Sequence, residues 1–251
     1  MITQYYRSQT LEETLKLLLQ PGTRPLGGGT VLTRQSNESF IVVDLQALGL
    51  DTIRKTGNLL EIGATVTLQS LLELSYVPEA LKTALGLEAP LNLRTMGTVA
   101  GALVTCDGRS PFGTIMLAMD ARCVLASETQ SIIRLGALLP LRDTLLKEKL
   151  IINIEIPLNI KLAFETVSRT PADKPIACAA LAQWPSGRTR LALGGWGQVP
   201  TLAMDGNELD DLKNAAQNAF SEAADDWASA EYRMEIAGIL SIRCLEEIDS
   251  P

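Results

Sequence analysis

After Pro157 the chain changes character, and that change restricts the fold more than any other feature of the sequence. Phe164 to Val167, Ala177 to Ala182 and Thr189 to Leu193 read as three antiparallel strands. Two helical patterns follow, over residues 209–223 and 230–247. In the second, Tyr232, Ile236, Ile239 and Ile242 are spaced for one apolar face. Strands first and helices afterwards is an α+β order. The residues before Pro157 are organised differently. Thr10 and Glu13 make a capping box, and Leu11, Leu15 and Leu18 share one helical face. That helix stops at Gln20-Pro21-Gly22. A glycine loop, Gly27-Gly28-Gly29-Thr30, and an apolar run from Phe40 to Leu45 complete an opening part. A second part begins near Arg54 with a hairpin turn at Thr56-Gly57-Asn58, a strand over 59–63 and a helix capped by Thr67, with Leu68, Leu71 and Leu72 on one face. Strands over 122–125 and 150–156 close it. Residues 86–115, loop-forming, poor in charge and punctuated by glycine, read as a long stretch that is either a functional loop or an element without a legible period. The expected division is therefore 1–158, itself in parts of about 1–53 and 54–158, followed by 159–251.

Composition narrows the chemistry. Hydrophobic residues make up 46% of the 251 residues and charged ones 20%, which predicts a packed core and excludes disorder. The net charge of −7 argues against nucleic acid or an anionic membrane as a partner, since both demand clustered Lys and Arg. No apolar run reaches the ~18 residues of a membrane span, and the N-terminus lacks the design of a signal peptide, so a cytoplasmic location is expected. There is no histidine. That removes Ser-His and Cys-His nucleophile pairs and histidine-ligated metals. Cys106, Cys123, Cys178 and Cys244 are far apart with no C-x-x-C, so they read as buried apolar side chains in a reducing compartment, and no metal site is expected. No side chain is nominated as catalytic, so any redox chemistry belongs to an imported cofactor.

Two segments suit such a cofactor. In Gly27-Gly28-Gly29-Thr30, successive glycines let amides share one concavity and let a pyrophosphate approach the main chain. The same residues also make a plain turn, and the loop is neither G-x-G-x-x-G nor a Walker loop. In Arg94-Thr95-Met96-Gly97-Thr98-Val99-Ala100-Gly101, hydroxyls and bare amides alternate, which fits either a ligand surface or a loop packed for its own sake. Together, two neutral glycine-threonine loops in an acidic chain favour a large cofactor held by backbone amides.

These segments, in their order, resemble the FAD-binding medium subunit of molybdenum hydroxylases, the carbon monoxide dehydrogenase and xanthine dehydrogenase superfamily. Pro25 to Leu32 is similar to the first flavin loop, where the family has Ala-Gly-Gly-Thr. Leu93 to Gly101 is similar to the second, where it has Arg-Asn-x-x-Thr-Ile-Gly-Gly-Asn. The likeness continues through Leu117 to Ala121, Ile154 to Pro157, Ser168-Arg169-Thr170-Pro171-Ala172-Asp173, Leu193-Gly194-Gly195, Pro200 and Tyr232-Arg233, and so covers nearly the whole chain.

The resemblance implies a two-part FAD-binding domain of the vanillyl-alcohol-oxidase (PCMH) type, followed by a small α+β domain of three strands and helices. It implies non-covalent FAD, with Leu26, Gly27, Gly28, Gly29, Thr30, Val31 and Leu32 at the pyrophosphate. Thr98, Val99, Gly101, Ala102 and Ser110 add contacts, and Ile151 and Ile152 lie near the isoalloxazine or ribityl chain. Molybdopterin and [2Fe-2S] clusters would sit in partner subunits, a large and a small one, with NAD or a quinone as acceptor. The departures are Ala100 for the first glycine of Gly-Gly-Asn, Ala102 for its asparagine, and Pro111 for a following acidic residue; Asp107 and Ser110 stand near enough to compensate. They keep a second class open, a non-catalytic scaffold subunit that has lost its flavin. A self-sufficient flavin reductase is the third. Arg169, Asp173 and Lys174 fit a flavin-facing or a solvated turn, Tyr232-Arg233 a docking contact of the last helix, and Trp184, Trp196 and Trp227 simple packing.

Overall fold

The computed structural model describes residues 1–34, 37–170 and 172–250, so Pro171 of the family-like segment lies outside the described residues. The chain divides into two units: 1–73 with 91–105 and 122–155, and 74–90 with 106–121 and 156–251.

The first unit holds two sheets. Strand β1 (Ile2–Arg7) precedes α1 (Leu11–Leu18), and β2 (Thr23–Leu26) and β3 (Phe40–Asp44) follow. They form a parallel sheet in the order β1-β3-β2. α1 starts as the sequence predicts: Thr10 Oγ1 accepts from the Glu13 amide at 3.2 Å. The Glu13 carboxylate accepts from the amide of Gln9, one residue before the cap. Leu11, Leu15 and Leu18 pack with Leu45, Leu48, Leu50, Leu150 and Ile152 in a leucine-rich cluster. The strands β1 and β2 escape a periodicity reading for a physical reason. Every residue of β1 is exposed, so no alternation marks it, and β2 is a four-residue edge carrying Pro25, where a proline is tolerated.

The five-stranded sheet runs in the order β4-β5-β8-β6-β7. β4 (Ile53–Thr56) and β5 (Leu59–Gly63) are joined by the expected Gly57-Asn58 turn, with Gly57 at φ +59°. α2 (Leu68–Leu72) follows, with Thr67 Oγ1 accepting from the Ser70 amide, and buries Leu68 and Leu71.

Residues 86–115 are largely helical. α3 (Glu79–Glu88) belongs to the second unit, α4 (Leu91–Arg94) and α5 (Val99–Thr105) to the first, and α6 (Pro111–Ala118) to the second. The loop reading fails at α6 because every residue of that helix is buried, which leaves no polar face to set a helical period. β6 (Arg122–Ala126), β7 (Ser131–Arg134) and β8 (Leu150–Pro157) complete the sheet, with the short helices α7 (Leu135–Leu138) and α8 (Arg142–Leu145) between β7 and β8; the first unit takes β8 as far as Glu155.

The second unit carries the expected strands β9 (Lys161–Val167), β10 (Ala177–Gln183) and β11 (Thr189–Gly194), joined by a fourth, β12 (Thr201–Gly206), in the antiparallel order β12-β11-β10-β9. α9 (Leu212–Ala219) and α10 (Ala230–Asp249) follow. The buried face of α10 is not the expected one. Tyr232 and Ile239 are exposed, while Arg233, Ala237, Leu240, Ser241, Cys244 and Ile248 are buried. The cause is Arg233, which is fully buried and donates to the carbonyls of Ile176, Ala223 and Ala228 and to Asp225. It docks the helix as the sequence suggests, and it sets the rotation of that helix.

Candidate functional site

The two glycine-rich segments meet in the first unit. Gly27 backs onto Thr98: a Cβ there would stand 2.8 Å from Thr98 Oγ1. Gly28 backs onto the peptide after Met96, where a Cβ would come within 2.5 Å of the carbonyl carbon and 3.1 Å of Gly97 Cα. Gly29 has room but holds φ +71°, a conformation that glycine adopts without strain. Loop packing and one left-handed residue thus account for all three glycines.

The second segment is fixed by its own hydrogen bonds. Leu68 N donates to Gly97 O at 2.9 Å, Val99 N to Val66 O at 2.8 Å, and Gly101 N to Thr98 Oγ1 at 3.1 Å. Ala102 N donates to Thr98 O. Its amides are therefore spent on the scaffold. The first loop is the reverse. Its carbonyls are engaged, Gly29 O by the amide and hydroxyl of Thr33, Val31 O by the Arg34 amide and Thr30 O by the Arg34 side chain. Among the described residues none accepts from the amides of Gly28, Gly29, Thr30, Val31 or Leu32. Consecutive free amides around a left-handed residue form an anion-binding concavity.

That loop borders a cavity of about 280 Å³, near the lower end of small-molecule sites (about 300–1,000 Å³). Of the sequence-predicted residues, Gly27, Gly28, Gly29, Thr30, Val31, Leu32, Thr98, Gly101 and Ile151 line it. Leu26, Val99, Ala102 and Ile152 do not, although each adjoins a residue that does. Ser110 lies in the second unit. There it caps α6, accepting from the Gly113 amide, and donates to Glu88 at 2.7 Å. Asp107 is also engaged there, with Lys174 at 2.6 Å and the Arg109 amide. Pro111 is the first residue of α6, where a missing N–H costs nothing. Arg169 pairs with Asp173, and Arg109 and Arg169 flank the Trp227 ring at 3.8 and 4.2 Å.

The sequence reading missed other walls, among them Leu45, Ala64, Val104, Leu146 and Lys149. Leu45 reaches the wall because β2 and β3 are parallel, so the segments after Leu26 and Asp44 leave the sheet at one end, where α/β sites form. No local sequence signal marks Leu45, Ala64 or Lys149. Ala100, a departure from the family pattern, lies on the wall as well. The walls are mainly apolar, and the charged residues among them are Arg24 and Lys149. Arg24 is paired with Glu38 at 2.7 Å. No cysteine lines the cavity, and all four are buried; burial pushes the thiols of Cys123 and Cys178 up to about 12.

A run of free amides beside mainly apolar walls, with no carboxylate or thiol among the lining residues, suits a domain that binds a cofactor and leaves the chemistry to it. Residues 1–159 match the family described as "FAD binding domain in molybdopterin dehydrogenase". The chain belongs to that family and is an oxidoreductase component. It is 31% identical to the Escherichia coli K12 protein YgfM, described as uncharacterized, over 96% of this chain and 94% of that one. It is 27% identical to the glyceraldehyde dehydrogenase medium chain of Sulfolobus acidocaldarius, with 97% of each covered. A solved Cu,Mo-CO dehydrogenase chain shares the fold, with a TM-score of 0.80 and 24% identity over 99% of this chain and 98% of that chain. Among the described residues no helix is long and apolar enough to cross a membrane.

Proposed function

We propose that this chain is the electron-transfer medium subunit of a molybdopterin-dependent hydroxylase or dehydrogenase, holding one FAD non-covalently. The observation that carries the reading is the row of free amides from Gly28 to Leu32 on an apolar cavity. Those amides would hold the pyrophosphate, and Thr98, Gly101 and Ile151 would flank the remainder of the cofactor. When bound, FAD supplies the step from the one-electron [2Fe-2S] clusters of a small subunit to an external acceptor such as NAD or a quinone. The protein's residues bind and orient the cofactor and keep water from its apolar walls. The absence of histidine suits this task, because no general base is required. Relatives named as medium chains support a place beside a small and a molybdenum-bearing large subunit. The family match over 1–159 supports reading 1–158 as the flavin domain and 159–251 as a second one. Ala100, Ala102 and Pro111 support the competing scaffold reading. The free amides oppose it, since a row of backbone donors unbonded within the protein and bordering an apolar cavity suits a bound anion. Native purification with metal analysis tests the assembly. Co-purified chains with stoichiometric iron and molybdenum are expected. A flavin-loaded chain that runs alone and turns over a small substrate without metals contradicts it.

A further inference from the structure

We propose that Lys149 is a specificity-determining residue of the cavity, an ammonium that pairs with the diphosphate of the bound dinucleotide. The inference rests on the FAD reading above and adds to it the residue that separates a dinucleotide from bare riboflavin.

The charge balance of the cavity carries the argument. Two cations line it and no carboxylate does. Arg24 already has its anion in Glu38, and its guanidinium lies 4.6 Å over the Phe40 ring, so its charge is largely spent at the edge of β2. Lys149 is half-buried, and among the described residues no carboxylate pairs with it. A half-buried ammonium beside apolar walls gains from an anion, and among the described residues the protein supplies none. A ligand would bring it. A diphosphate brings two charges, and the free amides of Gly28 to Leu32 offer only partial charges to meet them. One full charge from Lys149 supplies the counter-ion the loop lacks.

The backbone before Lys149 points the same way. Glu148 holds φ +60°, which side-chain-bearing residues rarely adopt, in the turn between α8 and β8. Strain of this kind persists where the surroundings enforce it, and here it delivers Lys149 to the cavity at the head of β8.

The test titrates FAD and riboflavin into the cofactor-stripped chain, followed by quenching of flavin fluorescence, for wild type, Lys149→Gln and Lys149→Arg. Lys149→Gln should raise the Kd for FAD by about tenfold or more, leave that for riboflavin within about twofold, and flatten the salt dependence of FAD binding. Lys149→Arg should stay within about threefold of wild type for FAD. Melting temperatures close to wild type show that the variants are folded. An FAD affinity within twofold of wild type in Lys149→Gln overturns the proposal. So does an equal loss for FAD and riboflavin, which would place the charge at the flavin ring. A wild-type chain that binds FAD no tighter than riboflavin overturns it without any variant. A wild-type chain that binds neither flavin overturns the cofactor reading itself.

Discussion

Replacing Gly28 by alanine adds one methyl group at the point where the two glycine-rich segments touch. The new Cβ would lie 2.5 Å from the Met96 carbonyl carbon, where real Cβ contacts do not fall below 3.0 Å, and would overlap the carbonyl oxygen more severely. The Met96 peptide must therefore retreat by at least half an ångström. It is not free to do so: Gly97 O accepts from Leu68 N at 2.9 Å, and Thr98 bridges to Thr67. Forced overpacking of this kind costs about 1–3 kcal/mol. At about 2–4 °C per kcal/mol for a chain of this size, a melting temperature lower by roughly 2–12 °C is expected. FAD affinity should fall with it, because the displaced loop carries the free amides. Gly29→Ala is the control. Its Cβ meets only Thr33 Cγ2 at 3.4 Å and Leu26 Cδ1 at 3.5 Å, so the cost is that of the left-handed conformation, about 1–2 kcal/mol. Differential scanning fluorimetry with and without FAD reads both variants. A Gly28→Ala protein that melts with wild type would refute the loop-packing argument. One that melts lower yet binds FAD at wild-type affinity would refute the link between loop and cofactor.

Arg233→Met should lower stability by about 3 kcal/mol or more in urea unfolding, because it strips donors from the carbonyls of Ile176, Ala223 and Ala228 at once; a loss below 1 kcal/mol would show that those contacts are not formed. The four thiols are buried, so the native protein at pH 8 should react with no equivalent of a thiol reagent and the unfolded protein with four. Burial raises the Glu88 carboxyl despite its bonds from Ser110 and the Phe112 amide. The folded state thus keeps a proton that the unfolded state releases, and this contribution to stability is lost as pH rises from the ordinary glutamate range through the raised value. The stability of wild type relative to Glu88→Gln should accordingly fall over that interval, and a difference that is flat or rising with pH would contradict the assignment.

Local signals were the legible ones. The caps at Thr10 and Thr67 and the Gly57-Asn58 turn depend on a few neighbouring residues, and the sequence states them outright. The glycine loops were visible too, but their reason was not. The sequence reading assigned the glycines to the approach of a ligand, whereas Gly27 and Gly28 face Thr98, Met96 and Gly97 across some 70 residues of chain. Such long-range contacts leave no mark in either segment alone. The same holds for Arg233, a charged residue that a polarity pattern places outside and a set of distant carbonyls draws inside. Ala64 and Lys149 reach the cavity only because β5 and β8 are neighbours in a sheet whose order no local pattern records.

The central claim is that the row of amides from Gly28 to Leu32 holds a flavin. The visible spectrum of the natively purified chain, before and after acid precipitation, tests it most directly. The account predicts the two absorption bands of an oxidised flavin at one FAD per chain, with all colour released to the supernatant, since there is no histidine to carry a flavin bond and no cysteine lines the cavity. Colour retained in the pellet would contradict non-covalent binding. A colourless chain that takes up no FAD on reconstitution would contradict the claim itself and leave the scaffold reading in its place.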